Sequence, residues 1–139
     1  MALRLDHTAE SDVSFESDDR PVRLQALAAM PAGKPVVMIN LLKFNADAGI
    51  DSYLRYSVEV APHLERVGAT VRYAGTNPVN VIGDGERPWW DAIVVVEYPS
   101  PQAFTDMVTD PGYQKIHGHR AAALTQGDLV ATSHWLPGA

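Results

Sequence analysis

The sequence predicts an α+β domain of split βαβ, or ferredoxin-like, order, βαββαβ, with a four-stranded antiparallel sheet. Two near-continuous apolar runs, "PVVMINLLKF" (35–44) and "WWDAIVVVEYP" (89–99), read as strands buried on both faces. Two more polar β-rich stretches, "ATVRYAGT" (69–76) and "DLVATSHW" (128–135), read as edge strands. Helical spacing of apolar residues separates the first strand from the second and the third from the last.

Taken in order, residues 1–19 hold six acids against one arginine and show no period, which reads as an irregular acidic arm. Residues 20–139 form one domain in this reading. "DDRPVRLQALAAMPAGKP" suggests a lead-in helix over 20–29, with Asp19 as cap, Pro21 in the first turn, and Pro31 and Gly33 as the stop. After the first strand, "DSYLRYSVEVAPHLERVG" offers Asp51 or Ser52 as cap and a stripe of Tyr53, Tyr56, Val60, Leu64 and Val67, with Gly68 as terminator. Pro62 inside that helix predicts a kink. "PVNVI" (78–82) is a further strand-like run, and "GDGERP" has turn chemistry without the spacing of a phosphate loop. "SPQAFTDMVTD" starts a helix at Ser100, Asp110 to Gly112 interrupt it, and "YQKIHGHRAAALTQ" resumes it. The two most apolar strands are the first and third, which the ferredoxin-like order places at the centre of the sheet. Helices cover only one face, so strands apolar on both sides call for a second subunit on the other.

Composition narrows the function. No run approaches the roughly 18 apolar residues of a membrane span, and the N-terminal residues carry no stretch of secretory length, so the reading is a cytoplasmic protein. Without cysteine there is neither a disulfide framework nor a thiolate nucleophile. The net charge is −6, and most of it sits in the arm. With no basic face, nucleic acid is not an expected partner.

Together, "PVVMINLLKF", "YLRYSVEVAPHLERVGATVRYAG" and "WDAIVVVEYPSPQAFTDMVTDPGYQKIHGHRAAAL" resemble the domain of unknown function 1330 family of the dimeric α+β barrel superfamily, over roughly 35–135. The resemblance implies a homodimer whose two sheets face one another, with a pocket in each subunit between sheet and helices. It implies no activity. The wider superfamily includes cofactor-free monooxygenases, lactone isomerases, haem-degrading enzymes and plain binding proteins, so fold analogy does not choose among them.

The stretch "DPGYQKIHGHR" carries the candidate chemistry. Tyr113, His117, Arg120 and Leu124 recur at helical spacing and share a face, while Lys115 and His119 point elsewhere. Arg120 either snorkels or pairs with a structural acid, or it recognises an anion through its planar fork; an arginine in this place after "YQ" is typical of the resembled family. Asn40, alone among apolar neighbours in its strand, must be satisfied by backbone groups or by a ligand. Tyr53 and Tyr56 lie on the inner face of the long helix, as core aromatics or as pocket hydroxyls. Either Trp89 or Trp90 meets the ligand side or the dimer partner. Residues two apart on a helix diverge, which counts against His117 and His119 as a metal pair, and no metal or cofactor is expected. The favoured reading is an enzyme without metal or cofactor, acting on a small oxygenated, anionic molecule. His117 or Tyr56 moves a proton, and Arg120, Asn40, Tyr53, Tyr113 and Trp90 hold the substrate. A binding protein with the same pocket is the alternative, with haem binding or degradation behind it.

Overall fold

Alternation along β1 (Val36–Phe44) sets the layers. Val36, Met38, Asn40 and Leu42 are buried, whereas Val37, Ile39 and Leu41 are partly exposed, so the strand has one helix-covered face and one open face. The computed structural model describes residues 20–136, which leaves the predicted arm at 1–19 outside the described residues. Around β1 the chain runs α1 (Leu24–Ala28), α2 (Gly49–Arg66), β2 (Thr70–Thr76), β3 (Ala92–Tyr98), α3 (Pro101–Val108), α4 (Pro111–Ala123) and β4 (Leu124–Thr132). The four strands form one antiparallel sheet in the order β2-β3-β1-β4. The two most apolar strands are therefore central, as the composition gradient predicts.

Helix ends follow local chemistry in three places. The Ser100 hydroxyl accepts the Ala103 N–H at 3.1 Å, and the Asp110 carboxylate accepts those of Gly112 at 2.8 Å and Tyr113 at 3.3 Å. Each cap precedes a proline whose missing N–H costs the first turn nothing. Gly68, at φ 79°, ends α2 with bonds from its own N–H to Glu65 O and from the Ala69 N–H to Leu64 O, a Schellman arrangement that needs left-handed backbone. Pro62 does not interrupt α2; it is exposed, and the Val58 carbonyl it cannot bond lies on the solvent side.

Elsewhere tertiary contacts override the local signals. Neither Asp51 nor Ser52 caps α2, which begins at Gly49. A Cβ there would stand 2.7 Å from the Ala123 carbonyl oxygen, so the close approach of α2 to the end of α4 sets the start. The lead-in helix is Leu24–Ala28 and not 20–29; Pro21 precedes it, and Arg20 reaches the edge strand, donating to Asp128 at 2.7 Å and Gly127 O at 3.2 Å. Residues 78–82 are not a strand, and β3 starts at Ala92 instead of 89. Asp91 stops it: its N–H donates to Leu42 O at 2.7 Å and its carboxylate accepts the Phe44 N–H at 2.9 Å. Burial raises the Asp91 carboxyl pKa, but that N–H together with Lys43 and Arg87 outweighs it and holds the group below the usual range. Trp89 and Trp90 consequently do not alternate across a strand; Trp89 is exposed beneath the Lys43 ammonium, 4.6 Å from its ring centroid. The last strand starts at Leu124, earlier than 128, because α4 stops at Ala123.

The main core gathers Met38, Tyr56, Val60, Val96, Tyr98, Phe104, Met107 and Tyr113 between the sheet and the helices. Leu42, Ala92, Ala123 and Leu124 close a second cluster where α4 turns into β4. Because Asp110 alone caps α4, Asp110→Ala is expected to destabilise the fold by about 1 kcal/mol, in the usual range for such caps. Arg66→Ala, which removes an exposed 3.7 Å ion pair to Asp110 and an exposed contact with His63, is expected to cost a few tenths of a kcal/mol. Urea unfolding of the two variants checks the order.

Candidate functional site

A cavity of about 720 Å³ lies between the helix-covered side of β1 and β4, the helices α3 and α4, and the lead-in segment from Arg20 to Met30. Register explains its sheet wall. Ala131 lies opposite Met38 and Leu129 opposite Asn40, so both β4 side chains face the same way as the buried set of β1. Phe104, Leu27 and Met30 complete apolar walls, and α4 contributes His117 and Arg120. These two lie three residues apart and project from one helix face.

Behind Arg120 stands a hydrogen-bonded support. Its guanidinium donates to Asn40 Oδ1 at 3.2 Å, and Asn40 Nδ2 donates to the Val94 carbonyl at 3.1 Å. The one polar residue in the apolar run of β1 thus uses both ends of its amide, linking α4 to the two central strands. Tyr53 also hydrogen-bonds Arg120. Tyr56 and Tyr113 share a buried bond of 2.8 Å between hydroxyls. Edge and tilted ring contacts run from Phe44 through Tyr53, Tyr56 and Tyr113 to His117, with centroids 5.5–6.3 Å apart.

Burial raises the hydroxyl pKa of Tyr53, Tyr56 and Tyr113, and the nearby Arg120 charge only partly offsets it. At neutral pH all three are therefore protonated. In that state their hydroxyls can donate hydrogen bonds.

Of the residues singled out from the sequence, His117 and Arg120 line the cavity. Asn40 and Tyr53 touch Arg120 from behind, and Tyr56 and Tyr113 pair with each other in the layer beyond. Trp90 is half-buried in the segment before β3 and does not line the cavity. The lead-in segment and β4 supply cavity walls that the sequence reading did not assign; the alternation of "DLVATSHW" was the available signal for Leu129 and Ala131. His119 turns away and meets Glu59 at 2.5 Å, while His63 contacts Arg66 at 2.7 Å. Among the described residues no group of three histidine or acidic side chains could hold a metal, and no helix is long and apolar enough to cross a membrane.

Comparison with known proteins gives a family and a fold. The family described as Domain of unknown function (DUF1330) matches residues 38–133. A protein of unknown function from Rhodopseudomonas palustris is 28% identical, with a TM-score of 0.71, covering 85% of this chain and 97% of that one. A dimeric ferredoxin-like protein of unknown function from Thermobifida fusca is 14% identical, with a TM-score of 0.51, covering 73% and 92%. A putative antibiotic biosynthesis monooxygenase from Bacteroides thetaiotaomicron is 15% identical, with a TM-score of 0.56, covering 78% and 97%. The last two share the fold alone. No curated protein matches the sequence.

The tyrosine layer predicts an alkaline limit to stability. Folded pKa values raised above the unfolded value of about 10 mean that the stabilisation is complete below that pH and is lost as pH rises toward the folded values. The melting temperature is expected to hold steady between about pH 7 and 9 and to fall beyond about pH 10. Tyr56→Phe costs on the order of 1–3 kcal/mol at neutral pH, through the hydroxyl left on Tyr113, yet loses stability less steeply above pH 10. Melting curves with equal alkaline slopes would refute this account.

Proposed function

Because the chain belongs to the Domain of unknown function (DUF1330) family, which brings a fold and no reaction, we propose a function from the cavity: it takes a small oxygenated organic anion, held by Arg120, with His117 moving a proton. The observation that carries the proposal is the placement of Arg120, which reaches the cavity wall while Asn40 and Tyr53 hold its guanidinium. A guanidinium has five N–H donors in one plane, a fork whose shape suits a carboxylate or a developing enolate. Fixing the fork before the ligand arrives lowers the reorganisation needed as charge builds up. His117, one turn away on the same helix, stands on the cavity wall as the group placed to move the proton. The apolar walls take the ligand's body and exclude water, which strengthens each polar contact inside. Tyr56 and Tyr113 are positioning residues in this scheme.

We also infer a homodimer assembled through the open sheet face. Val37, Ile39 and Leu41 of β1 lie on it, opposite Thr132, Val130 and Asp128 of β4, and Ile93 and Val95 of β3 extend it. Arg72, Glu97 and His134 form a charged edge, with Arg72 Nε 3.0 Å from Glu97 and His134 Nε2 3.6 Å from it. An apolar centre with a polar rim is the composition of an interface.

Both readings have direct tests. Carboxylates and phenols are screened for thermal stabilisation, where saturation at about 100 times Kd adds roughly 2.7 kcal/mol. Arg120→Leu is expected to abolish the response to carboxylates while costing on the order of 1–3 kcal/mol, because Asn40 Oδ1 loses its donor. Equal ligand stabilisation of both proteins would sink the anion role. For assembly, light scattering is expected to give twice the chain mass of 15.1 kDa, and Ile39→Asp to give a monomer. A native chain that is monomeric at micromolar concentration, about where an obligate interface stays closed, defeats the dimer.

A further inference from the structure

One side of α2 packs Tyr56 and Val60 into the core, and the opposite side carries a second apolar ridge. Ile50, Leu54 and Val58 recur every four residues, so they stand in one row along the helix surface. They are 59%, 59% and 74% exposed, and at that exposure the fold of the single chain gains little from them. Asp51 and Arg55 lie one turn apart on one flank of the row. Both are exposed, and neither enters an ion pair among the described residues, not even with the other.

We propose that this ridge packs against the α2 ridge of a second copy of the chain, antiparallel across a twofold axis at Leu54. The row is self-complementary about its midpoint. Antiparallel alignment lays Leu54 beside Leu54 of the partner subunit and Ile50 beside Val58 of the partner subunit, and rows spaced by four residues interdigitate at a crossing angle of about −50°. The same axis brings like flanks together, so Asp51 meets Arg55 of the partner subunit and the pair forms twice. A parallel alignment would set the charged flank against the Ser57 flank and form neither pair. Because α2 covers the helix side of the sheet, this contact is separate from pairing through the open sheet face and does not rest on it. Three aliphatic side chains from each copy fall short of the roughly 1,000 Å² that a stable interface buries. The association is therefore weak, and it adds to the sheet-face dimer only when the protein is concentrated.

The test exploits a chain that contains no cysteine, so each introduced thiol is unique. A disulfide demands Cα atoms within about 7 Å, and Leu54→Cys, at the axis, is expected to link to itself under mild oxidation and give a band at two chain masses. Chains carrying Ile50→Cys, mixed with chains carrying Val58→Cys, are expected to form the mixed disulfide faster than either links to itself. Gln102→Cys, exposed on α3, is the control and is expected to stay unlinked. Within the Leu54→Cys chain, Asp51→Arg or Arg55→Asp alone is expected to slow linking about tenfold, because like charges then meet, and the two together are expected to restore it. All measurements are repeated with Ile39→Asp added, and linking is expected to persist there, so a failure of the sheet-face dimer is told apart from a failure of this contact. Leu54→Cys that links no faster than Gln102→Cys, or only while Ile39 is intact, overturns the pairing. Ile50→Cys that links to itself in preference overturns the antiparallel alignment, and a double charge variant as slow as the single ones overturns the ion pairs.

Discussion

The hydrogen bond from Arg120 to Asn40 joins the last helix to the middle of the sheet, and the cavity depends on it. A guanidinium brought against a central strand loses water, and such a loss is tolerated only when the protein supplies acceptors. Asn40 supplies one without adding a negative charge. One of its own N–H donors is in turn satisfied by Val94 O. Aspartate at this position would pair more strongly with Arg120 and would cancel its charge. An aliphatic side chain would pack well in the strand and would leave the guanidinium short of an acceptor.

Around that contact the layers divide the work between packing and polarity. Tyr53, Tyr56 and Tyr113 fill the space between α2 and α4 as aromatic rings and meet polar groups with their hydroxyls. The burial that makes them good core residues also keeps them protonated, while His117 stands on the cavity wall. On the other side of the cavity, the lead-in segment and β4 provide apolar surface together with Arg20, which donates to Asp128 and to Gly127 O. Polar groups therefore stand on α4 and at the Arg20–Asp128 pair, with apolar surface between them.

What could be read in advance depended on how far apart the interacting residues are in the chain. The Gly68 terminator and the Ser100 cap involve neighbours within a few residues, and those features were legible; Asp110 was read only as an interruption, although it caps α4 through an equally local contact. The shared face of Tyr113, His117 and Arg120 was legible for the same reason, because helical geometry alone aligns them. The start of α2 was not, since Gly49 answers to the carbonyl of Ala123. Nor was the start of β3, which Asp91 sets by bonding to the far end of β1.

By itself, the sequence determined the order of elements, the central place of the two apolar strands and the candidate face of α4. These follow from periodicity and from apolar content, which are properties of short stretches of chain. Only the tertiary structure decided that Asn40 and Arg120, eighty residues apart, are partners, that Tyr56 bonds Tyr113, that Trp90 stands away from the cavity, and that the lead-in segment walls it. A hydrogen bond between distant residues depends on strand register and helix placement to within a fraction of an ångström, and no local pattern of residue types encodes that distance.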